Sequence, residues 1–96
     1  MKRRDSEQLG DVIRKILRQQ GLETPLNEYR LVAAWKEVVG TGIANYTTQI
    51  FIKGQTLYVA LSSPVLRQEL SMTRQILVRR LNEKAGAQVI TDIVFR

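Results

Sequence analysis

The chain has 96 residues, of which 44% are hydrophobic and 25% charged, and its formal net charge is +6. This length suits one domain with a single hydrophobic core, and the composition excludes wholesale disorder. Histidine and cysteine are both absent, so the usual zinc ligands, the usual general base and the thiolate nucleophile are missing. The nine acidic residues form no paired-carboxylate motif. We therefore predict a protein that is not an enzyme and that uses no metal, other cofactor or small-molecule substrate.

The location of the protein is predicted from what the sequence lacks. No apolar run approaches the roughly 18 residues that a membrane-spanning helix needs. The first ten residues, MKRRDSEQLG, are charged and polar, without the apolar stretch of a secretory signal. With no cysteine there is also no disulfide framework of the kind that exported domains use. These features predict a cytoplasmic protein with no membrane partner.

The chain begins with a basic segment and a helical pattern. Residues 1–5 are predicted to form a basic arm, and residues 6–96 a single domain. A first helix, capped by Asp5 or Ser6, is predicted to run to Gln20 because its apolar residues recur with the helical period. Those apolar residues are Leu9, Val12, Ile13, Ile16 and Leu17.

The second helical pattern follows a cap-and-proline signal. Thr24 and Pro25 are typical of a helix cap and first helical position, where the missing N–H of proline costs nothing. The apolar face of this helix is predicted to contain Leu31, Val32, Trp35, Val38 and Val39. Trp35 lies within that face and is predicted to be a core residue. Gly40 and Gly42 are predicted to end the helix.

From Thr47 onward the apolar spacing changes to two, which predicts β-strands. A turn around Lys53-Gly54-Gln55 makes the pair of strands a hairpin. The residues predicted to face the helices are Ile50, Ile52, Leu57, Val59 and Leu61. Phe51 and Tyr58 point to the opposite side. There they are candidates either for stacking on bases or for a cross-strand pair that stiffens the hairpin.

A third helix and a last strand complete the pattern. Ser63-Pro64 predicts the start of one long helix that runs to Ala85 and is stopped by Gly86. Residues 88–96 alternate again and predict a strand. The order ααββαβ predicts an α+β domain with a three-stranded sheet and helices on one face. Which hairpin strand pairs with the last strand is left open by the spacing.

The basic excess lies at the two ends of the chain. Residues 1–20 and residues 61–96 each carry six basic and three acidic side chains, whereas the residues between them are balanced. Such a distribution suits binding to phosphates, and it equally suits helix faces that keep a small domain in solution. The candidate nucleic-acid-binding residues are Arg14, Lys15, Arg18, Arg67, Arg74 and Arg79.

A second apolar strip on the third helix is the candidate partner-binding surface. Val65, Met72 and Ile76 lie away from the leucine stripe of that helix, and Arg80 lies beside them. One interpretation is that the core is broad and includes both strips. The other is that the three residues form an exposed groove for a protein partner, with arginines at its rim.

With these elements placed, the sequence resembles the DciA family of bacterial proteins. The likeness extends over about residues 9–95 and is carried by several short segments in a fixed order. They are Trp35-Lys36-Glu37-Val38-Val39-Gly40, Ile43-Ala44, Thr47, Gly54-Gln55-Thr56-Leu57-Tyr58-Val59, Ser62-Ser63-Pro64-Val65-Leu66-Arg67-Gln68-Glu69-Leu70, Leu81-Asn82, Gly86 and Ile93-Val94-Phe95.

The resemblance implies a KH-like α+β domain that binds the replicative helicase and single-stranded DNA and helps to place the helicase on single strands. The chain has no G-x-x-G segment, so the KH label would describe topology and not the KH mode of RNA binding. Without cysteine or histidine it also cannot be a zinc ribbon, as some related proteins were described. The predicted function is therefore a replication adaptor. The alternatives are a purely protein-binding module and an RNA- or ribosome-associated factor.

Overall fold

The computed structural model of the chain describes residues 9–16 and 23–96. The predicted basic arm over residues 1–5, Leu17 and Arg18 lie outside the described residues. In chain order the elements are α1 (residues 9–16), α2 (Glu23–Ala33), α3 (Trp35–Val39), α4 (Thr41–Ala44), β1 (Thr47–Lys53), β2 (Thr56–Leu61), α5 (Pro64–Met72), α6 (Arg74–Ala85) and β3 (Asp92–Phe95). The predicted α+β class is confirmed.

The apolar stripe of α1 is exposed. Leu9, Val12, Ile13 and Ile16 are between 45% and 62% exposed, and none of them belongs to the core cluster. The sequence pattern predicted a helix here, and residues 9–16 are helical. A helical period shows that a segment has an apolar face, but it does not show what covers that face. The described part of α1 therefore contributes no side chain to the core cluster.

The predicted second helix is divided into two. α2 begins at Glu23, so Thr24 and Pro25 lie in its first turn. It ends at Ala33, and the N–H of Ala34 is shared between the carbonyl oxygens of Arg30 and Leu31, at 3.0 and 3.1 Å. α3 ends at Val39, before Gly40 with φ +90°, and α4 follows directly. Gly40 therefore ends the helix as predicted, because its positive φ interrupts the regular backbone, and α4 is a short helix that the sequence pattern did not predict.

Trp35 is a core residue, as predicted. It is almost fully buried, and its indole Nε1–H donates a hydrogen bond to Thr47 Oγ1 at 3.0 Å. Its ring lies 6.2 Å from that of Phe95, measured between centroids. Trp35 therefore joins α3 to the start of β1 and the end of β3.

The sheet has the order β1-β2-β3. β1 and β2 are antiparallel, with a bulge between Thr47 and Gln49, and their turn begins with Gly54 at φ +64°. A positive φ at this first central position is what a type II′ hairpin turn requires. β2 and β3 are parallel, with Tyr58 opposite Val94. The structure thus settles the pairing that the spacing left open, and it places the last strand beside β2.

The predicted third helix is broken at Thr73. This residue has φ −109° and ψ +17°, and its N–H bonds to the Leu70 carbonyl at 3.1 Å. The Ser71 hydroxyl donates to the Arg67 carbonyl at 2.8 Å, and the Thr73 hydroxyl donates to the Leu70 carbonyl at 3.3 Å. Hydroxyl groups that bond back to carbonyls of the preceding turn bend helices. The single long helix expected over this segment is accordingly two helices, α5 and α6.

The buried residues of the helices and of one face of the sheet form a single cluster. Its fully buried large members are Leu31, Leu57, Leu81, Ile90, Ile93 and Val59. The side chain of Asn82 is also buried, and hydrogen bonds satisfy its polar atoms. Its Oδ1 accepts from the N–H groups of Val89 and Ile90, at 3.0 and 3.1 Å. Its Nδ2–H₂ donates to the Ile90 carbonyl at 2.9 Å. Asn82 thus fixes the loop that carries Ile90 into the core.

Candidate functional site

The predicted cations on the first helix are exposed. Arg14 and Lys15 lie on α1 at the surface, on a segment whose apolar side chains are exposed as well. Arg18, the third predicted cation of this helix, lies outside the described residues. Arg14 and Lys15 are adjacent in sequence, so they diverge by about 100° around the helix axis.

Two of the predicted cations on α5 and α6 have protein partners. Arg67 is half-buried, and its Nη1 donates to the carbonyl oxygen of Leu61 at 2.7 Å, which ties α5 to the end of β2. Arg74 pairs with Asp92, with 3.2 Å between Nε and Oδ1, and both side chains are nearly half exposed. Arg67 therefore has a structural contact as well as a positive charge. The exposed pair of Arg74 and Asp92 is worth little in stability.

Arg79 lines an open groove between α6 and the loop that follows it. The groove has a volume of about 440 Å³. Its lining residues are Gln75, Val78, Arg79, Asn82, Glu83, Ala87, Gln88 and Thr91. Arg79 and Glu83 are four residues apart on the same side of α6, so the groove carries one charge of each sign. Its remaining polar groups are neutral amides and a hydroxyl, which suit hydrogen bonding better than the capture of an anion.

The residues of the candidate partner strip are exposed, but they belong to two helices. Val65 and Met72 lie on α5 and are 64% and 82% exposed, whereas Ile76 lies on α6 and is 44% exposed. Arg80 is exposed one turn further along α6. The break at Thr73 separates the two pairs, so the geometry of one continuous helix, on which the strip was predicted, does not apply. None of the four belongs to the core.

On the hairpin, Phe51 and Tyr58 form a stacked pair. Their ring centroids are 5.1 Å apart and the ring planes differ by 12°. The guanidinium carbon of Arg96 lies 5.2 Å from the centre of the Phe51 ring and 5.4 Å from that of Tyr58. We refer to these three side chains as the aromatic–arginine cluster. Sequence reasoning missed Arg96, although strand alternation after Val94 places it on the same side of the sheet as Tyr58.

The pKa of Lys84 is perturbed by an ion pair. Lys84 Nζ donates to Glu37 Oε1 at 2.8 Å, and this hydrogen bond, with the charge of Glu37, raises the pKa of Lys84 above its ordinary value. The pair connects α3 to α6 at the surface. Both side chains are at least half exposed, as is typical of a surface ion pair.

Neither a metal centre nor a membrane span is found in the described part of the chain. Residues 9–16 and 23–96 contain no group of three or more acidic side chains that could hold a metal ion. Within the same ranges, every helix is too short or too polar to cross a bilayer. The candidate sites are surface features. They are a partly paired set of cations, an exposed apolar strip, and an aromatic–arginine cluster on an open sheet face. A small α+β binding domain is the class that these features define.

Comparison with known proteins places the chain within that class. The family model described as "Dna[CI] antecedent, DciA" matches residues 8–95, and the chain belongs to this family. A curated relative, described as a UPF0232 protein of Corynebacterium glutamicum (strain R), is 28% identical over 90 residues. The match covers 94% of this chain and 51% of that protein. The chain thus spans about half the length of the curated relative that it matches.

Proposed function

We propose that this chain is a non-enzymatic adaptor in DNA replication that binds the replicative helicase and single-stranded nucleic acid and aids loading of the helicase. The observation that carries the proposal is the family match over residues 8–95, which spans nearly all of the chain. The family description, an antecedent of Dna[CI], fits the helicase-loading role that the resemblance implies. A location in the cytoplasm, where replication takes place in bacteria, is part of the same proposal.

The exposed strip on α5 supports contact with a protein partner. Val65 and Met72 are seven residues apart on α5, so they lie on the same side of the helix. Large apolar side chains exposed to this degree are typical of contact surfaces, and a methionine adapts its shape to a partner. Ile76 and Arg80 continue the exposed surface onto α6.

The helicase contact is tested by capture of the purified replicative helicase of the same organism on the immobilised chain. Met72→Asp places a charge where the partner would exclude water, and we expect capture to weaken by about tenfold or more. Gln55→Asp is the matched control, because it adds the same charge at the exposed hairpin turn, away from α5. If the wild-type chain does not capture the helicase, the proposed partner is wrong. If Met72→Asp captures the helicase as well as Gln55→Asp does, the contact with the helicase lies on another surface.

The cationic residues support weak binding to the phosphates of single-stranded nucleic acid. The net charge of +6 attracts a polyanion, and Arg14, Lys15 and Arg79 are exposed. Binding of this kind releases counterions, so the affinity falls as salt is added, with a slope of about 0.7 per phosphate contact on single strands. It carries no preference for sequence.

Titration of labelled single-stranded DNA at two salt concentrations tests this part. We expect the double variant Arg14→Gln/Lys15→Gln to reduce the salt slope by about 1.4, at about 0.7 for each of the two lost contacts. As control, Lys84→Gln removes one charge that Glu37 already pairs, and its effect should be smaller. Absence of binding at low salt, or an affinity that does not depend on salt, would overturn phosphate recognition.

A purely protein-binding module is the second candidate, favoured by the exposure of Met72. It predicts helicase capture with no binding to DNA at any salt concentration. Tighter binding to structured RNA than to single-stranded DNA would instead point to an RNA- or ribosome-associated factor.

A further inference from the structure

The two faces of the sheet differ in what covers them. On β2, Leu57 and Val59 are fully buried on the side of the helices, and Tyr58 between them is only half-buried. On β3, Ile93 is fully buried and its neighbour Val94 is 37% exposed. Side chains that alternate in this way belong to a sheet with one packed and one open face. Phe51 and Tyr58 therefore present their rings on the open face.

The aromatic–arginine cluster is the central feature of the open face. Phe51 and Tyr58 are directly opposite each other in the β1–β2 register, and their rings stack nearly parallel. Arg96 holds its guanidinium over both rings at similar distances. The two rings stack on each other, so each keeps one outer face and its edges for a further contact, and the exposed Arg96 lies close to both rings. Planar surfaces of this composition stack on unpaired bases, and every base offers a face to them.

The charges around the cluster are positive. Lys53 is two residues from Phe51 on β1, so its side chain points to the same face, and it is exposed. Arg96 adds a second cation. On β3, the acidic residue in register with this face is Asp92. Its carboxylate is paired with Arg74. The open face thus combines aromatic rings with unneutralised cations, as a surface for a polyanion with stacked bases requires.

We propose that the open face of the sheet binds the unpaired bases of single-stranded nucleic acid, with Phe51, Tyr58 and Arg96 as the stacking surface and Lys53 on a neighbouring phosphate. This inference rests on the proposed nucleic-acid binding and adds to it a base-dependent contact at a defined place. It differs from the phosphate contacts of α1 and α6, which depend on charge alone. A cross-strand pair that only stiffens the hairpin would give no such base dependence.

The experiment compares two strands that carry the same phosphates. One is an oligothymidylate, and the other has the same length but abasic sugars in place of its nucleosides. The full chain is titrated with each strand, fluorescently labelled, at one low salt concentration. We expect wild-type protein to bind the oligothymidylate at least about fivefold more tightly, because stacking of one base contributes a factor of about five to about 150.

The variants assign the difference to the rings. Phe51→Leu/Tyr58→Leu keeps apolar side chains on the hairpin and removes both ring faces, so we expect the two strands to bind equally. Tyr58→Phe keeps the ring and should keep the preference. Val94→Ala is the matched control, because it removes apolar surface from the same face without removing a ring. Circular dichroism and urea denaturation check that each variant is folded, which we expect because Phe51 and Tyr58 lie outside the core cluster.

The outcomes separate this inference from the function on which it rests. Equal binding of both strands by wild-type protein overturns the stacking surface and leaves phosphate binding intact. A preference that survives in the double leucine variant overturns the assignment to these rings. Failure to bind either strand at low salt overturns nucleic-acid binding itself, and the stacking surface with it.

Discussion

The two faces of the three-stranded sheet come from the same strands but differ in what covers them. The face toward the helices carries Leu57, Val59 and Ile93, which are fully buried. The opposite face carries a stacked aromatic pair, a valine that is partly exposed, and an arginine over the rings. Neighbouring residues of one strand belong to different faces. A substitution on the packed face is therefore expected to change stability, and a substitution at the next position is expected to change the open surface. Substitutions at adjacent positions are therefore the sharpest way to test the difference.

The largest expected effect is on the packed face. Ile93→Ala removes a fully buried side chain, and we expect it to lower the free energy of unfolding by about 2–5 kcal/mol. Val94→Ala, one residue further on the open face, should cost less than about 1 kcal/mol. Urea denaturation followed by circular dichroism measures both. If Ile93→Ala does not fold, Ile93→Val keeps the test possible, with an expected loss of about 0.5–1.5 kcal/mol. Equal losses at positions 93 and 94 would mean that the faces are not distinct.

A smaller loss is expected at Asn82, which holds the loop before β3 against the packed face. Asn82→Ala leaves the N–H groups of Val89 and Ile90 and the carbonyl of Ile90 without their buried partner. We expect the free energy of unfolding to fall by about 1–3 kcal/mol. In the Asn82→Ala variant, hydrogen exchange at the amides of Val89 and Ile90 should be faster than in the wild-type protein, and the change at the amide of Tyr58 should be smaller. Unchanged protection at both amides would contradict the role given to Asn82.

The smallest effect is expected far from both faces, at the ion pair of Lys84 and Glu37. The hydrogen bond to Glu37 raises the pKa of Lys84 in the folded state, so the pair stabilises the fold below the ordinary pKa of 10.5. That contribution disappears as the pH rises through the higher pKa of the folded state. In Glu37→Gln we expect the pKa of Lys84 to return toward 10.5, as followed by nuclear magnetic resonance of its side chain. A pKa that does not move would show that the pair is not formed in solution.

The local pattern of the sequence predicted most of the fold. Period-two spacing identified both hairpin strands, and Gly54 identified their turn, because each of these signals depends on a few adjacent residues. The Ser63 cap was also predicted, and its hydroxyl accepts a bond from the Leu66 N–H at 3.3 Å. The break at Thr73 was missed, because it depends on how hydroxyl groups share carbonyl oxygens with the helix. Composition and period carry no such information.

The candidate site was less predictable than the fold. The sequence left two alternatives for Val65 and Met72, burial in a broad core or exposure at the surface. The packing of the folded chain leaves both side chains exposed. The sequence identified Arg67 as a cation without indicating that it donates to the Leu61 carbonyl. It likewise identified Phe51 and Tyr58 as neighbours, whereas their contact with Arg96 depends on which strand β3 pairs with. Long-range strand pairing decides the contact with Arg96, whereas the Arg67 contact spans only six residues and depends on how α5 packs at the end of β2. Local spacing encodes neither.

The parallel pairing of β2 with β3 bears on the order in which the domain assembles. The hairpin of β1 and β2 closes over a tight turn and needs no distant residue, so it can form as soon as it has been synthesised. β3 reaches its place beside β2 only after α5 and α6 have been made, since both helices lie between the two strands in the chain. Until then Leu57 and Val59 lack the neighbouring strand β3 and part of the core cluster to which they belong. We therefore expect hairpin formation to precede docking of the last strand, which makes closure of that long loop the slow step of folding.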